Sequence, residues 1–141
     1  MKLIKLTLRV LLGIALIGFG IAHLTFARTD YQAQVPTWLP LDADFVVLAS
    51  GVVEIVLGIG IASWGRAVPL AGLVAAGFFV AVFPGNISQY VNGLDGLGFD
   101  SDGARLARLF LQPIWIIWAL WSTSALSLLR SNTKTEVRQS E

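Results

Sequence analysis

The sequence predicts an all-α protein: a transmembrane four-helix bundle with both termini on the cytoplasmic side and a short extracytoplasmic segment over its outer end. Three observations predict it. Hydrophobic residues make up 55% of the 141 positions and charged residues only 13%, against about 25% charged in soluble domains, so a bilayer suits the chain as solvent. Four apolar stretches approach the roughly 20 residues that a helix needs to cross one. The basic residues are also unevenly distributed. Lys2, Lys5, Arg9, Arg66, Arg130, Lys134 and Arg138 fall at one end of the stretches, whereas Arg28, Arg105 and Arg108 share the other with Asp30, Asp42, Asp44, Asp95, Asp100 and Asp102. Cytoplasmic loops carry the excess of Lys and Arg, which places both termini inside and predicts a multi-pass protein of the cell (cytoplasmic or inner) membrane.

The elements follow in chain order. The first span covers about 4–27. Lys2 and Lys5 before an apolar run resemble a secretory signal, and Thr25-Phe26-Ala27 a weak cleavage site, but the run exceeds the usual core of 7–15 residues and reads as a span. Next comes VPTWLP, too short to cross a membrane and too apolar for a free loop. Pro36 and Pro40 favour extended backbone and Trp38 suits the headgroup region, so this segment reads as a lid over the cavity that His23 borders, or as an interfacial anchor. The second span, about 45–64, carries Glu54 as its only formal charge. The third covers about 68–90. The fourth covers about 105–129, uncharged from Leu109 onward. Together they make one transmembrane domain, 1–130, followed by a polar cytoplasmic tail, 131–141.

Several functions are excluded by what the chain lacks. With no cysteine there are no disulfides, thiolate metal sites or iron–sulfur ligands, and a single histidine rules out a polyhistidine metal site. No metal and no nucleic acid are expected, and no cofactor is evident. The 14 glycines lie mostly within spans, as in GIALIGFG and GVVEIVLGIG, where small residues let helices approach closely.

The chemistry must therefore come from polar residues at membrane depth. Counting about 1.5 Å per residue puts His23, Asn86, Gln112 and Glu54 in the outer half of the spans or at its floor. A carboxylate at a helix centre costs about 2.5–3.5 kcal/mol on insertion scales, so Glu54 must be neutral, paired or beside a water-filled cavity. His23 and the arginines of span four are its candidate partners. Ser50 extends the Glu54 face outward by one turn, and Arg105, Arg108, Gln112 and Trp115 share one helical stripe. Trp118 and Trp121 read as packing or lipid-facing. Pro84 and Pro113 each remove a backbone donor and free the carbonyls of Val80 and Leu109, so both outer half-helices are expected to kink or loosen. Asn86 and Gln112 beside them either satisfy those carbonyls or line a cavity.

The strings GFGIAHLTF, VPTWLP, SGVVEIVLGIG, FPGNISQY and RLARLFLQPIWIIWAL, in that order and across nearly the whole chain, resemble the DoxX-like family of small four-helix membrane proteins. The resemblance implies a four-helix bundle and marks His23, Pro36, Pro40, Glu54, Pro84, Asn86, Arg108 and Gln112 as signature positions. It implies a place beside membrane oxidoreductases, because the family takes its name from a subunit of a quinone-linked sulfur-oxidising complex and distant relatives are assembly factors. The leading expectation is a non-catalytic membrane subunit or assembly partner without intrinsic catalysis. Its expected partners are the lipid bilayer, a membrane or membrane-associated oxidoreductase, and a second copy of the chain. A quinone-binding redox protein is the alternative, with quinone as the ligand and electrons supplied by a partner. A small-solute or proton pathway ranks third, since the inner halves of the spans offer little beyond glycines, Ser63 and a few hydroxyls.

Overall fold

The computed structural model describes residues 1–130; the predicted tail, 131–141, lies outside them. The described chain is helical, and no strand occurs among the described residues. Helix α1 spans Lys2–Leu24, a single turn α2 spans Arg28–Tyr31 and runs into a 3-10 turn at Gln32–Gln34, α3 spans Ala43–Ala62, α4 spans Ala67–Val91 and α5 spans Asp102–Ser122. Asp42 caps α3 by accepting the Phe45 amide at 2.9 Å, and Ser101 caps α5 by accepting the Ala104 amide at 3.2 Å. Each satisfies one of the donors that a helix start leaves without a partner.

Helices α1, α3 and α4 are long and apolar enough to cross a membrane. The outward residues suit such a solvent: Ile14, Val56, Val80 and Ile117 are each more than half exposed. Helix α5, which carries the fourth expected span, is not among these three. The first two turns of α5 hold Asp102, Arg105 and Arg108, and the helix stops at Ser122 instead of running to residue 129. Its uncharged part covers roughly 21 Å and the whole helix roughly 31 Å at 1.5 Å per residue, against the roughly 30 Å of a hydrocarbon core. The stop is built locally. Ser124 takes a left-handed φ of 57°, the Ser124 amide donates to Trp121 O at 3.3 Å and the Ala125 amide to Leu120 O at 3.1 Å. This pairing closes a helix C-terminus, and helix resumes only at 126–130.

Packing is tightest between α1 and α3. Glycines on the two helices meet in antiparallel register. A Cβ on Gly13 would stand 2.8 Å from Gly58 O, and one on Gly20 would stand 2.5 Å from Gly51 O, so no larger residue fits at this separation. Helix α4 packs against both α3 and α5, and α5 returns to α1. Leu12, Leu16, Leu57, Ile61, Ala75, Phe79 and Ala119 form the core between them. A second cluster of Ala22, Ala27, Tyr31, Val35 and Val47 closes the end remote from Met1, called here the far end. At the near end, Trp118 Nε1 donates to Leu8 O at 3.0 Å, and Lys5 lies over the Trp121 ring.

Candidate functional site

The far end contains a cavity of about 510 Å³, within the range of small-molecule sites. Its walls come from α1, α3, α4, α5 and the strap formed by residues 28–41. The floor is aromatic. Trp115 meets Phe19 edge-on at 5.7 Å and Phe79 at 6.1 Å, and stacks on Trp118 at 5.2 Å.

One side of the cavity is a histidine–carboxylate pair. Glycine at position 51 lets α1 come so close that a Cβ there would lie 2.7 Å from the His23 Cβ, and Glu54 sits one turn along the same face of α3. His23 Nδ1 lies 2.8 Å from Phe19 O and 2.9 Å from Glu54 Oε2. A carbonyl only accepts, so Nδ1 carries the proton and donates it to Phe19. Glu54 Oε2 is left within ion-pair range but without a directed hydrogen bond. The imidazole stacks on Tyr31, ring centres 3.4 Å apart. Burial, reinforced by the Glu54 carboxylate, holds the Tyr31 phenol above its usual range.

The other side is a relay of polar side chains. Arg108 Nη2 donates to Gln34 Oε1 at 2.7 Å and Nε to Asn86 Oδ1 at 3.1 Å. Asn86 Nδ2 donates to Gln112 Oε1 at 2.9 Å, and Gln112 Nε2 to Phe79 O at 2.6 Å. The orientations enforce one another: a guanidinium only donates, so it must meet amide oxygens, and each amide nitrogen is thereby turned to the next acceptor. The chain of bonds ties the strap, through Gln34, to the backbone of α4. Close contact at Gly85 assists it, where a Cβ would fall 2.1 Å from Gln34 O.

Most of the expected site residues meet here. His23, Ser50, Glu54, Asn86, Arg108, Gln112 and Trp115 line the cavity, with Pro36, Trp38 and Pro84 at its rim. Arg105 does not. Although it shares a stripe with Arg108, its guanidinium turns to Asp95 at 2.8 Å, Asp102 at 2.9 Å and Phe99 O at 3.1 Å, because the 93–101 loop folds back over the start of α5. Pro40 and Pro113 also lie outside the lining. Of the partners expected for Glu54, His23 is the one that pairs with it; the arginines of α5 do not. Helices α4 and α5 continue through Pro84 and Pro113. Gln112 reaches the carbonyl of Phe79, next to the one that Pro84 frees. The strap is helical over Arg28–Gln34 and extended at Val35, but Pro36–Leu39 then close a turn, the Leu39 amide donating to Pro36 O at 3.0 Å, instead of the extended run expected there. Arg28 pairs with Asp44 to pin the strap to α3.

Tyr31, Gln34 and Phe99 line the cavity without having been expected there. Tyr31 and Gln34 stand three apart in RTDYQAQ, a spacing that shares a helical face, but one turn of helix shows no periodicity by which to recognise it. Phe99, whose ring centre lies 4.9 Å from the Arg108 guanidinium, sits in a glycine-rich loop that carried no signal.

A family model described as Domain of unknown function (DUF8561) matches residues 12–123, a stretch that contains every cavity residue named above. No curated protein and no solved structure matches the chain.

Proposed function

The chain belongs to the DUF8561 family, and from the geometry of its cavity we propose that it is a DoxX-like, multi-pass protein of the cell membrane, serving as a non-catalytic subunit or assembly partner of an oxidoreductase-type complex. In this reading α1, α3, α4 and α5 form a four-helix transmembrane bundle with both termini cytoplasmic and the strap outside. The basic residues gathered at the near end, the apolar exterior and the exposed Trp38, at 68%, support that placement.

The cavity carries the functional reading. Its polar groups are engaged chiefly with one another, from Gln34 through Arg108, Asn86 and Gln112 to Phe79 O. Such a network holds a shaped site open beneath the strap and suits a protein that holds or presents a molecule. The aromatic floor of Trp115 and Phe79 favours the second reading, a quinone-binding protein whose electrons come from a partner.

Native purification followed by mass spectrometry of co-purifying protein, quinone and lipid tests both. The first reading expects an oxidoreductase subunit in stoichiometric amount. Quinone without a protein partner would favour the second, and neither species would remove both.

A further inference from the structure

We propose that the cavity binds an organic anion with an apolar body, its two-oxygen head seated on Arg108 and its body against the aromatic floor. The inference goes beyond the subunit reading, since it concerns the isolated chain and holds with or without a protein partner.

It starts from how the structure treats its far-end arginines. Arg28 is paired with Asp44, and Arg105 with both Asp95 and Asp102. Arg108, half-buried in the cavity wall, receives no carboxylate among the described residues. Its partners are the neutral oxygens of Gln34 and Asn86 and the face of Phe99. The other charged side chain lining the cavity, Glu54, stands 2.9 Å from His23 instead. A charge withdrawn from water is costly unless a counter-charge meets it. Glu54 acts on Arg108 only across the cavity, without an ion pair or hydrogen bond to it, so an anion from outside the chain can meet the guanidinium directly.

The geometry says what shape that charge takes. A guanidinium carries five N–H donors. Asn86 takes Nε and Gln34 takes one of the two Nη2 hydrogens. Nη1 makes no hydrogen bond among the described residues, so three of the five donors remain for the oxygens of a carboxylate or a phosphate. Gln34 Nε2 is also buried without a partner, beside the same guanidinium. Trp115, Phe79 and Phe19 line the same cavity and offer an acyl or aryl body an aromatic surface.

The test uses the full-length protein in phosphatidylcholine nanodiscs, titrated with dodecanoate and in parallel with dodecanol and methyl dodecanoate. Dodecanoate alone should raise the unfolding midpoint, with an increment that grows with the logarithm of its concentration, and should change the tryptophan emission. Arg108→Gln should weaken that response about ten- to a hundredfold, the range implied by losing charge-assisted hydrogen bonds. Arg108→Lys keeps the charge but loses the fork and should fall between. Equal binding of acid, alcohol and ester, or undiminished dodecanoate binding by Arg108→Gln, would overturn the proposal. If Arg108→Gln does not fold, the wild-type preference for acid over ester still decides. Nanodiscs doped with phosphatidylglycerol separate the two sources of such an anion. A lipid-induced rise that dodecanoate competes away assigns the site to an anionic lipid head. A response to dodecanoate alone assigns it to a free carboxylate.

Discussion

The α1–α3 seam and the far-end cavity hold the same helices together by opposite means. Along the seam, cohesion comes from removing side chains: Gly13, Gly20, Gly51 and Gly58 bring backbone against backbone, which gains dispersion contacts and weak Cα–H···O bonds without any polar partner. At the far end the helices stand apart around an open volume, and polar side chains reach across it. The seam is a packing surface with no room to adjust. The cavity is a framework whose strap is fastened at a few named points, so the two regions should fail differently when disturbed.

The largest effect is expected at the seam. Gly20→Val would drive a side chain into Gly51 O and Ile55, whose atoms lie 2.5 and 2.6 Å from the position of a Cβ. Overpacking typically costs about 1–3 kcal/mol and occasionally more. With backbone as the obstacle the upper end applies, and the folded protein should scarcely accumulate. Gly18 is its control, because a Cβ there meets nothing within 4 Å. Thermal melts in nanodiscs should separate the two variants clearly, and equal losses would break the comparison.

Next in size is Gly85→Ala, which sets a methyl group 2.1 Å from Gln34 O. The strap can lift where the seam cannot. The global midpoint should therefore fall by less than about 1 kcal/mol in equivalent stability, while amide exchange quickens over residues 28–40 as the strap opens locally. A global loss as large as that of Gly20→Val would mean that the strap is as integral as the seam.

How far these regions could be read from sequence follows the same division. The seam lay in GIALIGFG and GVVEIVLGIG, where glycine inside an apolar run has close helix approach as its physical reason. The cavity was legible wherever a polar residue sat inside an apolar run, since His23, Glu54, Asn86 and Gln112 are costly to bury without partners and had to converge. Arg105 and Arg108 could not be told apart, because they share a stripe and only the fold of the 93–101 loop brings Asp95 to one and not the other. The end of α5 was hidden for a related reason. Ser124 occupies a left-handed position usually marked by glycine, so the apolar run continued past the point where the helix stops.

A smaller, local effect should come from the two sides of the cavity. In a double-mutant cycle, Gln34→Ala with Arg108→Gln should show coupling within the range of about 0.5–3 kcal/mol seen for contacting residues, as should His23→Ala with Glu54→Gln. Glu54→Gln with Arg108→Gln should be close to additive, since no ion pair or hydrogen bond joins them among the described residues. Glu54→Leu should reduce abundance more than Glu54→Gln, because an amide still offers polar contacts to its neighbours. Strong coupling of Glu54 to Arg108 would merge the two sides into one network and weaken the case for an external anion.

The smallest perturbation sharpens the comparison by giving each half a side of the membrane. The chain has no cysteine, so one introduced thiol reports without background. Asp95 lies in the loop that closes the far end, its side chain 70% exposed, and Arg66 lies in the exposed turn between α3 and α4 at the near end. Replacing Arg66 removes a charge with no ion-pair partner among the described residues and should leave the melting midpoint within about 0.5 kcal/mol of wild type. Asp95→Cys gives up one of the two carboxylates on Arg105 but leaves Asp102 in place. In intact cells an impermeant maleimide should label Asp95→Cys and spare Arg66→Cys until the membrane is opened. The reverse pattern would turn the bundle over and place the cavity on the cytoplasmic side. Labelling of both from outside would contradict a membrane between the two ends, and with it the reading of α1, α3 and α4 as spans.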